Sequence, residues 1–329
     1  MTVITTVHNS EAFIERCIQS VLGQTYSNWE QIIVDDGSTD RTAELVDSYE
    51  DPRIRFIPLP HRGIAALAES YNAALATARG QLIAVLEGDD FWPSDKLARQ
   101  VPAFHDPMVQ LSWGDAIVTN AEGRPTHRWP RAGAGREVSL ETLFHELTCA
   151  NMLTPTVTVM ARRSALEAVG GFQQPPGVLF VDLPTWLKIA AHVSGKALRL
   201  NVLLGYYRVH AAQMSTTHFH SYQTALPTVV SAVLKECTAS DLARLGWNGQ
   251  AQQRSLASAE LFAGVALLKR KKWRDARRAL RASFAYLESP RTIMRVLLGL
   301  ASTFVALDLV AFADRGRRTL AAFALRLDR

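Results

Sequence analysis

Cysteine is scarce in this 329-residue chain: Cys17, Cys149 and Cys237 are all it has. They fall at no CxxC or other ligand spacing, which argues against a disulfide framework and fits a reducing compartment. Long apolar runs are lacking too. Val296–Leu307 is apolar for 12 residues between Arg295 and Asp308, short of the ~20 that a bilayer-spanning helix needs. No GxxxxGK[ST] and no GxGxxG follows an apolar run, which disfavours P-loop and dinucleotide enzymes. No Ser/His/Asp or Cys/His pattern marks a covalent nucleophile. No secretory leader is expected, since Thr2–Val7 already reads as a core strand.

What is present is a globular balance, 48% apolar and 20% charged. The net charge of +5 is unevenly spread. From Lys269 to Arg329 there are 15 Lys or Arg against 5 Asp or Glu, a net +10, so the preceding 268 residues carry a net −5. A basic end behind an acidic body predicts contact with an anionic surface, and a solvated Arg-rich helical face is the plain alternative. A helix lying in the membrane surface over 296–307, followed by Arg315, Arg317 and Arg318, competes with packing on the rest of the molecule. No aromatic-interleaved basic stripe favours nucleic acid.

The first part alternates short apolar runs with helical patterns. Val3–Val7, Gln31–Val34, Ile54–Ile57 and Leu82–Leu86 are strand candidates, and Ala12–Leu22, Arg41–Tyr49 and Ile64–Ala78 are helix candidates. Residues 121–136 read as an irregular loop. Pro155–Arg162 reads as a strand, Ser164–Val169 and Thr185–His192 as helices. This alternation predicts an α/β fold with a mixed, mostly parallel sheet flanked by helices. Beyond about residue 220 strand signals stop. Leu256–Arg270 and Arg274–Leu287 read as a helical hairpin similar to one tetratricopeptide unit. The expected division is therefore a sheet domain over 1–220 and a helical region over 221–329.

Two acidic clusters end predicted strands: Asp35-Asp36 after Gln31–Val34, and Glu87-Gly88-Asp89-Asp90 after Leu82–Leu86. Ligands of parallel α/β sheets bind at carboxyl ends of strands, so both clusters are expected to face one cleft. Clustered carboxylate oxygens suit Mg²⁺ or Mn²⁺, which in turn suits phosphate.

Several short motifs then follow one another in order. Val3–Asn9, Ser20–Tyr26, Ile32–Asp40, Arg62-Gly63-Ile64 with Asn72, Ala78-Arg79-Gly80 and Glu87–Asp90 are joined by Gly170-Gly171-Phe172, Asp182 with Trp186-Leu187, and Tyr207–His210. Over about residues 1–215 this series resembles the inverting family-2 glycosyltransferases of GT-A fold. The resemblance implies a nucleotide-sugar donor, UDP- or dTDP-linked, and a glycan or lipid-linked acceptor, with transfer by single displacement. It places the donor nucleoside at Thr6, His8, Asn9, Asp35 and Asp36, with Asp36 accepting from a uracil or thymine imide and His8 flanking the base. Asp35 would contact the ribose or cap its turn. Glu87-Gly88-Asp89 stands where the family has Asp-x-Asp: Asp89 would bind Mn²⁺ or Mg²⁺, aided by His210, and Glu87 would face the ribose or the metal's water shell.

By the same resemblance Asp182 is the catalytic base, with Trp186 and Asp90 on the acceptor side. For Asp90, capping a helix that starts near Pro93 is the preferred alternative. Arg208 would pair with phosphate or with a nearby acid. Glu87 for Asp and Val181 for the usual Glu depart from the family pattern. They leave open a catalytically inactive scaffold as the rival reading. A cytoplasmic location is expected, with the cytoplasmic face of the membrane as one option within it.

Overall fold

The computed structural model describes residues 1–129, 135–217, 225–284 and 290–305. Its N-terminal half is built from parallel strands, the inner three largely buried and the edge strand partly exposed. These are β1 (Thr2–Val7), β2 (Glu30–Asp36), β3 (Ile54–Leu59) and β4 (Leu82–Val85). Between them run α1 (Ile14–Leu22), α2 (Thr42–Asp47) and α3 (Leu67–Thr77), the last preceded by a 3₁₀ turn over Ile64–Ala66. In α1, Ile14, Cys17, Ile18 and Val21 are buried, the spacing of one helix face.

The chain continues through α4 (Lys96–Gln100), β5 (Val109–Thr119), β6 (Pro125–Arg128), β7 (Arg136–Ser139), α5 (Leu140–Leu147), β8 (Met160–Arg162), α6 (Arg163–Ala168), α7 (Asp182–His192) and β9 (Lys196–Arg208). The strands form one mixed sheet in the order β3-β2-β1-β4-β8-β5-β9-β7, with β6 paired to β5. Parallel pairing joins β1, β2, β3 and β4 and also the long β5–β9 ladder, whereas β8, β6 and β7 run antiparallel to their neighbours. β2 and β4 lie on opposite sides of β1, so the strand order reverses there and opens a crevice at the carboxyl ends of β1 and β4.

Three local expectations are corrected. Within 121–136, Pro125–Arg128 is a strand, not irregular loop; 130–134 lie outside the described residues. Pro155–Arg162 is not one strand: Thr156–Thr158 is a 3₁₀ turn and only Met160–Arg162 pairs in the sheet. The first helix after the Pro/Gly loop begins at Asp182 instead of Thr185.

After the sheet come α8 (Met214–Thr217), α9 (Leu226–Glu236), α10 (Ala239–Leu245), α11 (Gly249–Lys269), α12 (Trp273–Phe284) and α13 (Pro290–Val305). Val229, Val233, Leu245 and Ala259 belong to the same buried cluster as Ile4, Val85 and Trp186. Polar bonds add to that seam: Ser255 Oγ donates to the Thr148 carbonyl at 2.9 Å and His145 Nε2 to the Leu245 carbonyl at 2.6 Å. Further out, Leu261, Val265, Leu268, Ala276, Leu280 and Val296 form their own cluster. The expected hairpin is present as α11 and α12, with α13 packed on both. Among the described residues no helix is long and apolar enough to cross a membrane. The basic stretch with Arg315, Arg317 and Arg318 lies outside them.

One core residue departs from ordinary practice. Lys96 is fully buried, its Nζ has no hydrogen-bond partner among the described residues, and it sits 3.8 Å from the Trp92 ring centroid. Burial drives its pKa well below the ordinary lysine value. The cation–π contact offsets only part of that cost. In the native state Lys96 holds fewer protons than in the unfolded chain, so its cost is present at neutral pH and fades as pH rises towards about 10.5. Lys96→Met should therefore stabilise the protein by about 1–3 kcal/mol at pH 7. The gain, read from urea melts, should shrink on raising the pH to 10. An unstable variant at pH 7 would show that the ammonium is held by more than the indole.

Candidate active site

Two strand ends are tied together by main chain. The Gly88 N–H donates to the Thr6 carbonyl at 3.2 Å, and a Cβ at Gly88 would lie 2.4 Å from Val7 Cγ1. Only glycine lets the acidic turn after β4 approach β1 this closely.

On the β2 side, the clustered residues hold one another. Asp35 is buried, and its Oδ1 accepts from the Ser38 N–H at 3.0 Å and the Ser38 hydroxyl at 2.5 Å. Of the two roles open to Asp35, capping the turn is therefore the one the structure fills. Asn9, in the left-handed region with φ 48°, accepts from the Thr39 N–H at 2.8 Å. Asp36 accepts from the Arg62 N–H at 2.8 Å and the Gly63 N–H at 2.9 Å. His8 and His61 both direct Nδ1 at the Asp36 carbonyl, 3.0 and 2.8 Å away, and their rings stack with centroids 4.3 Å apart. His61 was missed by sequence reading, although it immediately precedes the Arg62-Gly63 motif.

The β4 end carries three carboxylates with distinct surroundings. Glu87 is half-buried; Tyr71 donates to its Oε1 at 3.2 Å, while its Oε2 is buried without a hydrogen-bond partner among the described residues. Burial and the adjacent Asp89 charge push its pKa up to about 7. Asp89 Oδ2 lies 3.0 Å from His210 Nε2, so the acid and the imidazole assigned to one metal, 121 positions apart, do meet. Asp90 is buried and its Oδ1 accepts from the Arg208 N–H at 2.7 Å. It caps no helix: α4 starts at Lys96 behind Asp95. Burial and the neighbouring acids hold its pKa well above the usual carboxylate range.

Asp182 lines the same cavity from the first turn of α7. Its Oδ2 accepts from Asn151 Nδ2 at 2.7 Å and faces the Thr156 hydroxyl at 3.4 Å. Its Oδ1 is buried with no hydrogen-bond partner among the described residues. Burial raises its pKa, opposed by the Leu183 N–H and by Asn151. The result is a carboxylate anchored by one oxygen with the other left over.

Glu87, Asp89, Asp90 and Asp182 line one cavity of about 890 Å³, whose remaining wall includes Trp129, Phe180, Met214 and Phe262. One predicted residue stands elsewhere. Trp186 is 1% exposed and packs edge-on against Phe172, 6.2 Å between centroids, so it serves the core beneath Asp182 and not the acceptor side. The Arg208 guanidinium lies 4.7 Å from the Phe13 centroid, donates to the Ala121 carbonyl and feels the charges of Asp89 and Asp90. Asn151 and Tyr71 were missed: a lone Asn in a loop and a Tyr in a helix carry no pattern that ties them to distant acids.

Metal fit can be judged from the donor set. Hard divalent cations take carboxylate oxygens, and magnesium commonly uses one or two carboxylates with the rest of its shell from water and substrate phosphate. Asp89 and His210 are in contact, Glu87 Oε2 is unsatisfied, and no Lys or Arg is among the described residues lining the cavity. The residues fit such an ion. A second grouping, His8, Asp36 and His61, has its ligand atoms within 4.8 Å of one another.

Known proteins give the context for this geometry. TuaG of Bacillus subtilis, whose name places it in teichuronic acid biosynthesis, is 33% identical over 64% of this chain and 79% of its own length. WfaP of Escherichia coli, a UDP-Glc:α-D-GlcNAc-diphosphoundecaprenol β-1,3-glucosyltransferase, is 28% identical over 67% of this chain and 81% of its own. Among solved structures, S. aureus TarS 1–349 with UDP-GlcNAc superposes with TM-score 0.56 at 15% identity, over 93% of this chain and 92% of that one. The mannosyltransferase PcManGT of Pyrobaculum calidifontis with GDP-Man and Mn²⁺ gives 0.57 at 18%, over 94% and 84%. At these identities the structural likeness establishes the GT-A-like fold alone. The family model "Glycosyl transferase family 2" matches residues 2–170, and on that match, together with the TuaG relationship, the chain belongs to glycosyltransferase family 2.

Proposed function

We propose that this protein transfers a sugar from a nucleoside-diphosphate donor, UDP- or dTDP-linked, to a hydroxyl of a glycan or lipid-linked acceptor, with inversion and with the help of Mn²⁺ or Mg²⁺. The observation that carries the proposal is Asp182: a buried carboxylate held by Asn151 through one oxygen, its other oxygen without a hydrogen-bond partner among the described residues, on a side chain that lines the same cavity as Asp89 and Glu87.

The chemistry follows from those positions. The acceptor hydroxyl oxygen attacks the anomeric carbon, its proton passes to Asp182 Oδ1, and the bond to the donor diphosphate breaks on the opposite face. A carboxylate fixed by Asn151 loses little orientational freedom on accepting that proton. Burial raises its proton affinity, which suits a base working near neutral pH. Asp89 and His210 would hold the cation, with Glu87 beside it. A bound divalent ion would neutralise the departing diphosphate. His8 and Asp36 would meet the base, whose stacking face the His8–His61 pair offers on its outer side. The donor class agrees with the UDP-Glc in the WfaP name and the UDP-GlcNAc complex of TarS; GDP-Man in PcManGT is the competing possibility. The diphosphoundecaprenol acceptor of WfaP and the basic end of this chain favour work at the cytoplasmic face of a membrane.

A thermal-shift panel of UDP-, dTDP-, GDP- and CMP-sugars, with and without Mn²⁺, tests the donor and metal together. Near-saturating UDP- or dTDP-sugar with Mn²⁺ should raise Tm by about 5 °C or more. A shift confined to GDP- or CMP-sugars, or one indifferent to Mn²⁺, would refute the corresponding part.

A further inference from the structure

A second set of ligand-type side chains meets outside the acidic cavity. His8 follows β1, Asp36 ends β2 and His61 stands in the turn after β3. One ligand atom from each lies within 4.8 Å of the others, and none of the three lines the cavity that holds Asp89 and Asp182. His61 Nδ1 is 3.1 Å from Asp36 Oδ2, and both imidazoles turn Nδ1 towards the Asp36 carbonyl. The main chain beneath them is fixed. Asp36 is held by the Arg62 and Gly63 N–H groups, one on each carboxylate oxygen. At Gly37, with φ 67°, a Cβ would lie 2.6 Å from the His61 nitrogen, so the turn after β2 closes on the His61 loop only because that residue is glycine. The two rings, by contrast, are exposed and free to turn.

We propose that His8, Asp36 and His61 form a second cation site, for Zn²⁺ or another late transition ion, and that its occupation excludes the base of the donor. The second half rests on the placement of that base at His8 and Asp36; the first half does not. Donor chemistry separates this site from the Asp89 corner. Two imidazoles and one carboxylate are a ligand set of Zn²⁺, with water in the fourth position, and nitrogen-rich sites bind Cu²⁺ and Zn²⁺ more tightly than Mn²⁺. Carboxylate-rich sites suit Mg²⁺ and Mn²⁺. Geometry asks for little. Ligand atoms about 2.0–2.1 Å from a tetrahedral ion stand about 3.3 Å from one another, and His61 and Asp36 already meet that spacing. The remaining adjustment is a turn of the His8 ring, which gives up an exposed 3.2 Å contact between its Nε2 and Asn9 Nδ2. Each neutral imidazole moves its proton from Nδ1 to Nε2, so binding releases none. An ion bound here occupies the Asp36 carboxylate and turns the His8 face that the base would need. Zn²⁺ is thus an inhibitor competing with the donor, opposite in sign to the Mn²⁺ or Mg²⁺ held at Asp89.

Two measurements on the full chain test this. Zn²⁺ binding is followed by titration calorimetry in Asp89→Ala, which removes the acidic corner as a competing site. Zn²⁺ should bind, and adding His61→Ala or His8→Ala should weaken it at least about tenfold, since loss of a supporting partner alone costs that much. Co²⁺ in place of Zn²⁺ should give a visible absorption band that His61→Ala removes. The second measurement is donor KM at saturating Mn²⁺. Free Zn²⁺ at ten times its Kd should raise KM about tenfold with kcat unchanged, and His61→Ala should abolish the rise. The KM ratio with and without Zn²⁺ is taken within each protein, so a poorly folded variant does not mimic the effect. Zn²⁺ displacing Mn²⁺ at Asp89 would instead lower kcat and persist in His61→Ala. Zn²⁺ binding indifferent to both histidines would overturn the site and leave the transfer reading standing. Histidine-dependent binding with no change in KM would overturn the exclusion and the placement of the base. Histidine-dependent binding by a protein that neither transfers nor hydrolyses any donor would overturn the transfer reading and uphold the site.

Discussion

Asp182→Asn should lower kcat for transfer by about 10³-fold while leaving donor binding intact. Asparagine keeps the shape of the side chain. Its amide oxygen can still accept from Asn151 Nδ2, as Asp182 Oδ2 does at 2.7 Å, which places the NH₂ where Oδ1 stands without a partner among the described residues. The variant therefore offers a donor where the acceptor's proton has to go. The Mn²⁺-dependent thermal shift with donor should persist, because Asp182 touches neither Asp89 nor His210 in the hydrogen-bond network described. In the wild-type protein, kcat should fall on the acid side as Asp182 becomes protonated. Burial places that limb above the ordinary aspartate value of 3.8. The limb should vanish from the residual activity of the variant. A kcat within tenfold of wild type would remove Asp182 from the role of base.

Asp89→Ala should abolish the Mn²⁺-dependent part of the donor thermal shift and lower kcat/KM by about 10²–10³-fold, the scale seen when one group stabilising developing charge is removed. Its Oδ2 lies 3.0 Å from His210 Nε2, and its side chain is 23% exposed, so it faces the cavity without being a buried structural acid. Asp90, one residue on, is the opposite case: a substitution there should act through folding, because its Oδ1 accepts from the Arg208 N–H inside the protein. Asp89→Ala that retained a full metal-dependent shift would move the metal to other ligands, with the His8–Asp36–His61 group as the first place to look.

The parallel half of the sheet was legible because each strand carries a short apolar or β-branched run, and β2 and β4 stop at turns rich in Asp and Gly. The two longest strands were not. In β5 the run Val109–Thr119 is interrupted by Ser112, Gly114 and Asp115, and β9 carries Arg199, Asn201 and Arg208. The structure resolves the contradiction by pairing charges inside the sheet: Arg199 Nη2 reaches Asp115 Oδ1 at 2.5 Å with both side chains 3% exposed. A buried ion pair erases the alternation by which a strand is recognised. The contact between Asp89 and His210 was legible only because each had been assigned to one ion. The apolar end of the cavity was invisible, since Trp129, Met214 and Phe262 are ordinary core residues by any sequence criterion and their meeting depends on tertiary packing.

Asp89 and Asp90 are neighbours, yet each is bonded to β9 or the turn after it, Asp90 to Arg208 and Asp89 to His210. Two adjacent acids at the end of an early strand are thus given their final bearings by a segment made more than a hundred residues later. During synthesis, the first strands can emerge with their acidic turn complete and still have no working corner. That corner takes shape only when β9 slots in beside β5 and brings its turn across. Activity is in this way deferred until the sheet is closed, and a chain stopped before β9 would carry the acidic motifs of β2 and β4 without the site they advertise.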